Sequence, residues 1–322
     1  MSQPVLVPRV VADTPLDATI EGLLRGKVEV VPLDLVRSKG SASVDAEGLY
    51  TYGHPPTDGA LLDRIRGLKV ISNYGVGVDH IRLDDAQARG IPIGNTPGVL
   101  ESTTADLGFA LLLASARRII EGDRYARSSE FVRYDPGHML GREVHGKTLG
   151  IIGMGQIGAR IARRAVAFEM TVLYHNRHRR KDVEAALAPS IAHADLDDLL
   201  ARSDYVMLCT PLTDATRGLI GERTLALMKP SATLINIARG PVVDTEALTR
   251  ALSDGRIAAA ALDVTDPEPL PRDHPLLVLP QVVITPHLGS ATVETRRRMA
   301  EVSVDNLMAG LRGEPLPHPV TR

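Results

Sequence analysis

The chain has 322 residues, with 37 Lys or Arg against 39 Asp or Glu and a formal net charge of −2. That length exceeds the roughly 250 residues one hydrophobic core usually serves, and the charge balance argues against a general nucleic-acid or anionic-membrane partner. The lone cysteine, Cys209, excludes an internal disulfide and cannot by itself build a Cys-based zinc site.

The start, MSQPVLVPRVV, lacks a signal-peptide pattern. The most apolar helix candidate, 107–116, is shorter than the roughly 20 residues a bilayer span needs. The ten histidines are scattered without an HExxH pair, so no metal is expected. The expectation is a cytoplasmic enzyme or binding protein.

Short apolar runs alternate with amphipathic stretches, the pattern of β-α-β units on a parallel sheet. The first candidate strands are PVLVP, VEVVPL, GLYTYG, LKVISNYG and GIPIGN, with a helix over 57–66 among them. LESTTADLGFALLLASARRIIEG then reads as one long, well-buried helix with Ser102 or Thr103 as its N-cap. A second series follows: KTLGIIG, MTVLYHN, DYVMLCTP, ATLINIA, AAALDV and VVITPH. SATVETRRRMAEVSVDNLMAGLRG reads as a final helix ending near Gly310 or Gly313. A chain that opens one lobe, builds another and returns by a terminal helix predicts two α/β domains, 1–98 with 289–322 and 99–288, joined by a two-stranded hinge. A cleft between them would suit a ligand.

GMGQIG stands between a strand-like TLGII and a helix-like ARIARRAVAFEM. Gly153 would allow a tight turn, Gly155 a close approach of pyrophosphate, and Gly158 close packing of helix on strand. The N–H groups opening the helix, at Gln156 and Ile157, then face the phosphate charge. After the next strand, where a carboxylate would accept the adenosine ribose hydroxyls, the chain reads HNRHRR. Guanidinium groups fork onto phosphate, so Asn176, Arg177 and Arg179 are expected to bind a 2′-phosphate and to prefer NADP(H) over NAD(H). A merely solvated loop is the alternative. Cys209, Thr210 and Pro211 follow a strand on the adenosine side, Cys209 as a packing residue rather than a reactive thiol.

NIARGPVVD, ALDVTDPEPLP and ITPHLGSA each place a charged or titratable residue after a β-type run, at the edge where open α/β sheets bind ligands. Singly, Arg239, Glu268 and His287 have duller readings as strand ends and turn caps; together they would suit reduction of a 2-keto acid, which needs a proton donor for the carbonyl oxygen and a cation for the carboxylate. An imidazole at His287 suits proton delivery. Glu268 would orient it and favour the imidazolium. Arg239 can hold a carboxylate and a keto oxygen together. NYGVGVD (73–79) offers glycine-borne N–H groups as an anion nest, or is simply a turn.

With these motifs, from SNYGVGVDHI through GMGQIG to GLRGEPLP, the chain resembles the D-isomer-specific 2-hydroxyacid dehydrogenases, most closely the glyoxylate/hydroxypyruvate reductases. The resemblance implies two doubly wound parallel sheets, a flavodoxin-like substrate domain and a Rossmann cofactor domain. It implies the same roles for the Arg, Glu and His, and a homodimer. It points to Val76 and Gly77 for the substrate carboxylate, Ser290 for a substrate hydroxyl, and Asp263 for the nicotinamide carboxamide. It also places Thr104 near the nicotinamide or phosphates, and Ile237 and Ala238 against the cofactor.

The family's tryptophan between the long helix and the glycine loop is absent. The chain has no Trp and offers Phe131, Tyr134, His138 and Met139 instead, which admits 2-ketogluconate beside glyoxylate and hydroxypyruvate. The implied activity is NADPH-dependent reduction of small 2-keto acids to D-2-hydroxy acids. A phosphoglycerate-type NAD-dependent dehydrogenase and a non-catalytic cofactor-sensing protein remain the alternatives.

Overall fold

The computed structural model describes residues 7–38 and 43–321. The chain divides into two compact units, Met1–Leu100 with Thr292–Arg322, and Glu101–Ala291. Among the described residues no helix is long and apolar enough to cross a membrane.

The first unit contains strands β1 (Arg9–Ala12), β2 (Glu29–Pro32), β3 (Val44–Asp45), β4 (Gly48–Thr51), β5 (Ile65–Arg66), β6 (Val70–Asn73) and β7 (Ile93–Gly94). Five of them form a parallel sheet in the order β2-β1-β4-β6-β7, and β3 pairs with β5 in a separate ribbon. Starting from the middle, growing to one side and then reversing is the doubly wound order. Residues 4–6 of the expected PVLVP strand lie outside the described residues; the strand itself begins at Arg9.

The helix expected over 57–66 is only Gly59–Leu62. Thr57 is held in a bridge to Ile81, and the Asp58 carboxylate accepts the Leu61 N–H at 3.0 Å, so the helix cannot start earlier. Ile65 and Arg66 are taken by pairing with β3. The terminal helix Val293–Leu311 starts at Thr292, whose hydroxyl accepts the Thr295 N–H, and stops before Gly313 at φ +72°. It packs on β4 and β6, where Tyr50 and the Ser303 hydroxyl share a buried hydrogen bond of 2.7 Å.

The second unit contains β8 (Thr148–Ile152), β9 (Thr171–His175), β10 (Ile191–His193), β11 (Tyr205–Leu208), β12 (Thr233–Asn236), β13 (Ala259–Leu262) and β14 (Val282–Ile284). They form one sheet, β10-β9-β8-β11-β12-β13-β14, in which every pair is parallel. β11, β12 and β13 are buried along their whole length, as expected when helices cover both faces. Alternate side chains serve opposite layers: Val206, Leu208 and Leu234 join one core, Tyr205, Met207 and Ile235 the other. The chain reverses direction across the sheet beside β8, which fixes the switch point there.

The long helix is two, Glu101–Ala116 and Ile119–Ala126, separated by Arg118 at φ +51°. The Ala116 carbonyl accepts the N–H of Arg142 at 2.7 Å rather than that of a following helical residue, which ends the first helix. Ser102 and Thr103 therefore lie inside the first turn rather than capping it, and the Ser102 hydroxyl accepts from Arg160 at 3.0 Å.

Candidate active site

Because all seven strands of the second unit run the same way, the residues that follow them share its C-terminal edge. Gly153 follows β8, Asn176 follows β9, Cys209 follows β11, and Ile237 to Arg239 follow β12. Asp263 follows β13, and His287 comes after β14. The glycine loop thus stands mid-sheet, with the basic stretch to one side and Arg239, Asp263 and His287 to the other.

Gly153 sits at φ +99°, and a Cβ there would lie 2.7 Å from the Cys209 carbonyl. A Cβ on Gly158 would come within 2.2 Å of the Gly153 oxygen, whereas one on Gly155 meets nothing within 4 Å. Two glycines are needed for close packing, and the third leaves open space at the start of helix Gln156–Ala167. That space, bordered by N–H groups of the first helical turn that have no acceptor among the described residues, fits a dinucleotide's pyrophosphate. Cys209 packs against the core beside it, and desolvation pushes its thiol above the usual range.

The basic stretch divides its labour. Asn176 Oδ1 accepts the Met154 N–H at 3.1 Å and its Nδ2 donates to the His178 carbonyl at 2.9 Å. Arg180 donates to the Met154 carbonyl at 2.8 Å and forks onto Asp182. Arg179 forks onto Glu184 at 2.9 Å, and Glu184 also accepts from the Tyr174 hydroxyl at 2.5 Å. The Arg179 and Tyr174 hydrogen bonds hold the Glu184 carboxyl down to about 2, as the Arg180 pair does for Asp182, also to about 2. Arg177 is exposed and forms no ion pair among the described residues. Asn176 and Arg180 therefore brace the glycine loop, and Arg179 is paired, which leaves Arg177 as the exposed guanidinium of the three arginines without an ion pair among the described residues. The bracing by Arg180 was not anticipated; its position in the sequence matches that of its neighbours.

On the other side, His287 Nδ1 lies 2.8 Å from Glu268 Oε1. The turn carrying His287, itself at φ +56°, is clamped by Asp263. That nearly buried carboxylate accepts from Thr285 Oγ1 at 2.7 Å, Leu288 N at 2.7 Å and Gly289 N at 2.8 Å. A carboxylate has about four acceptor sites, and these three bonds use most of them. Thr104 adjoins the same corner, since a Cβ on Gly289 would touch its side chain at 3.3 Å. Ser290, the next residue, is buried. Arg239 is set by Asn236, which accepts the Ala238 N–H and donates to the Arg239 carbonyl, both at 3.0 Å. Gly240 then presses on the segment leading to Glu268: a Cβ there would lie 1.9 Å from the Thr265 oxygen. Asn236, overlooked in the sequence, reads there only as a strand-ending turn former.

In the first unit, Val76 and Gly77 are half-buried in the loop after β6. Asn73 Nδ2 donates to the carbonyls of Gly75 and Gly77, both at 3.0 Å, and Asn95 Nδ2 donates to that of Val76 at 2.9 Å. Phe131, Tyr134, His138 and Met139 lie in an exposed segment of the second unit, where Phe131 meets Tyr125 edge-on and His138 meets it at a tilt.

The family described as D-isomer specific 2-hydroxyacid dehydrogenase, NAD binding domain, matches residues 109–289. A glyoxylate reductase of Korarchaeum cryptofilum is 47% identical over 279 residues, 86% of this chain and 83% of that protein. Among solved structures, the TT0316 protein of Thermus thermophilus aligns with TM-score 0.87 and 45% identity, over 97% of this chain and 100% of its own. The NADPH-dependent glyoxylate/hydroxypyruvate reductase of Sinorhizobium meliloti, solved with NADP and malonate, gives TM-score 0.88 and 31% identity over 98% and 97% of the two chains. The chain belongs to the D-isomer specific 2-hydroxyacid dehydrogenase family.

Proposed function

We propose that this protein reduces small 2-keto acids to D-2-hydroxy acids, with glyoxylate and hydroxypyruvate as first substrates, 2-ketogluconate as a longer one, and NADPH preferred over NADH. The observation that carries the reading is the 2.8 Å contact of His287 Nδ1 with Glu268, on the same sheet edge as Arg239 and the glycine loop.

When bound, the reduced nicotinamide supplies a hydride to the substrate's carbonyl carbon. Glu268 accepts from Nδ1–H, fixes the ring's orientation and favours the imidazolium, whose Nε2–H is the proton that goes to the carbonyl oxygen, leaving the neutral imidazole with Nδ1–H. Arg239 forks onto the substrate carboxylate and the keto oxygen, opposing the charge that grows on that oxygen. The N–H groups of Val76 and Gly77 take the carboxylate, and Ser290 takes a hydroxyl further along the substrate. Asp263 offers its remaining acceptor site to the carboxamide; Thr104, Ile237 and Ala238 adjoin the same end of the cofactor. On the adenosine side, beside Cys209, Thr210 and Pro211, Arg177 binds the 2′-phosphate, with Arg179 as a second contact if it leaves Glu184. Asn176 contributes by holding the loop.

The reading includes a homodimer, formed through the face of the second unit around a groove of about 610 Å³ lined by Ile120, Leu140, Leu277, Val278, Val282 and Ile284. Leu140 and Val278 are 72% and 80% exposed in a single chain, more apolar surface than solvent alone would favour.

The test follows NADPH and NADH absorbance with glyoxylate, hydroxypyruvate, 2-ketogluconate and 3-phosphohydroxypyruvate. Reduction of the first three with a lower KM for NADPH is expected, and His287→Ala should cut kcat by about 10²–10⁴-fold without weakening NADPH binding. Turnover of the phosphorylated acid with NADH alone, or full activity in the His287 variant, would refute the proposal.

A further inference from the structure

From the bracing of the loop after β6, we infer that Asn73 and Asn95 are positioning residues for the substrate carboxylate, acting by turning the N–H groups of Val76 and Gly77 outward. The inference rests on the proposal that those N–H groups bind that carboxylate.

Three successive carbonyls, those of Gly75, Val76 and Gly77, are each bound by a side-chain amide of this unit. The Thr96 N–H adds a second bond to Gly75 O at 3.1 Å. A peptide's N–H points opposite to its C=O. Fixing the Gly75 and Val76 carbonyls therefore fixes the N–H vectors of Val76 and Gly77. Neither N–H has an acceptor among the described residues, and both residues are half-buried, within reach of a ligand. Two such donors held in place form an anion site without charge of its own.

The braces are themselves held. Asn73 is fully buried, and its Oδ1 accepts the Thr51 hydroxyl at 2.7 Å, so its Nδ2 can face only the loop. Asn95 is tied by its backbone, its N–H to His318 O at 3.1 Å and its carbonyl to Asn306 Nδ2 at 2.9 Å. Neither side chain is proposed to touch substrate. An amide suits this place because one neutral group supplies two N–H donors, as Asn73 does to Gly75 and Gly77; a carboxylate would face two carbonyl oxygens and repel the incoming anion.

Two variants test this. Asn73→Asp keeps shape and the Thr51 bond but removes the donor; Asn95→Ala removes one partly exposed side chain and is the safeguard should the first not fold. Steady-state kinetics with glyoxylate, inhibition by oxamate, NADPH affinity by fluorescence titration, and Tm are measured on the whole enzyme. The expected result is about a tenfold or greater rise in KM and in the oxamate inhibition constant, with kcat within about threefold, the signature of lost uniform binding. NADPH affinity should not move. Folded variants with unchanged KM, or with loss confined to kcat, overturn the inference while leaving the reductase reading intact. A wild-type enzyme inert to every 2-keto acid removes the reading itself, and the inference with it.

Discussion

Asn176 spends its amide on Met154 and His178, Asn236 on Ala238 and Arg239, and Asn73 on Gly75 and Gly77. An amide suits this work because it can both donate and accept without net charge. The charged residues nearby pair locally instead. Glu184 and Asp182 are held to about 2 by the hydrogen bonds of Arg179 with Tyr174 and of Arg180, respectively. Since both folded-state values lie below the usual carboxylate range near 4, their contribution is present above about pH 4 and is lost as pH falls through about 2. Carboxyl-carbon NMR titration should show midpoints near 2 for both, rising in Arg179→Ala for Glu184, though not fully because the Tyr174 bond stays, and rising toward the ordinary value in Arg180→Ala for Asp182. At this scale Arg239, Glu268 and His287 could be read in advance because a reactive residue after an apolar run has a place on the sheet edge. The bracing asparagines could not, since an Asn after a strand is equally a plain turn residue.

Among the elements, the turn after β12 and the segment leading to Glu268 depend on each other through Gly240. Replacing it by Ala puts a methyl group into the Thr265 carbonyl, an overpacking that should cost about 1–3 kcal/mol. Separation of Arg239 from Glu268 and His287 should follow, so Gly240→Ala is expected to lower both the denaturation midpoint and kcat/KM. Unchanged urea midpoint and unchanged kinetics would contradict that account. Six of the seven strands of the second unit are evident as apolar runs in the sequence. β10 is missed because only three residues, Ile191–His193, form it at the sheet's border. The break in the long helix was illegible for a different reason: the competing partner of Ala116 O is Arg142, far along the chain, and helical periodicity carries no record of it.

For the molecule as a whole, two doubly wound sheets of different strand order give two units with separate cores. The groove beside β14, with the exposed Leu140 and Val278 at it, leads to the expectation of a dimeric mass by light scattering, reduced to monomer by the double substitution Leu140→Asp and Val278→Asp. Retention of the dimer would move the interface elsewhere. The common direction of β8 to β14 also has a practical consequence. Turns at the opposite, N-terminal edge, such as exposed Asp254 and Gly255 ahead of β13, hold none of the reactive groups. A linker grafted there would anchor the second unit by that edge, leaving its C-terminal edge uncovered.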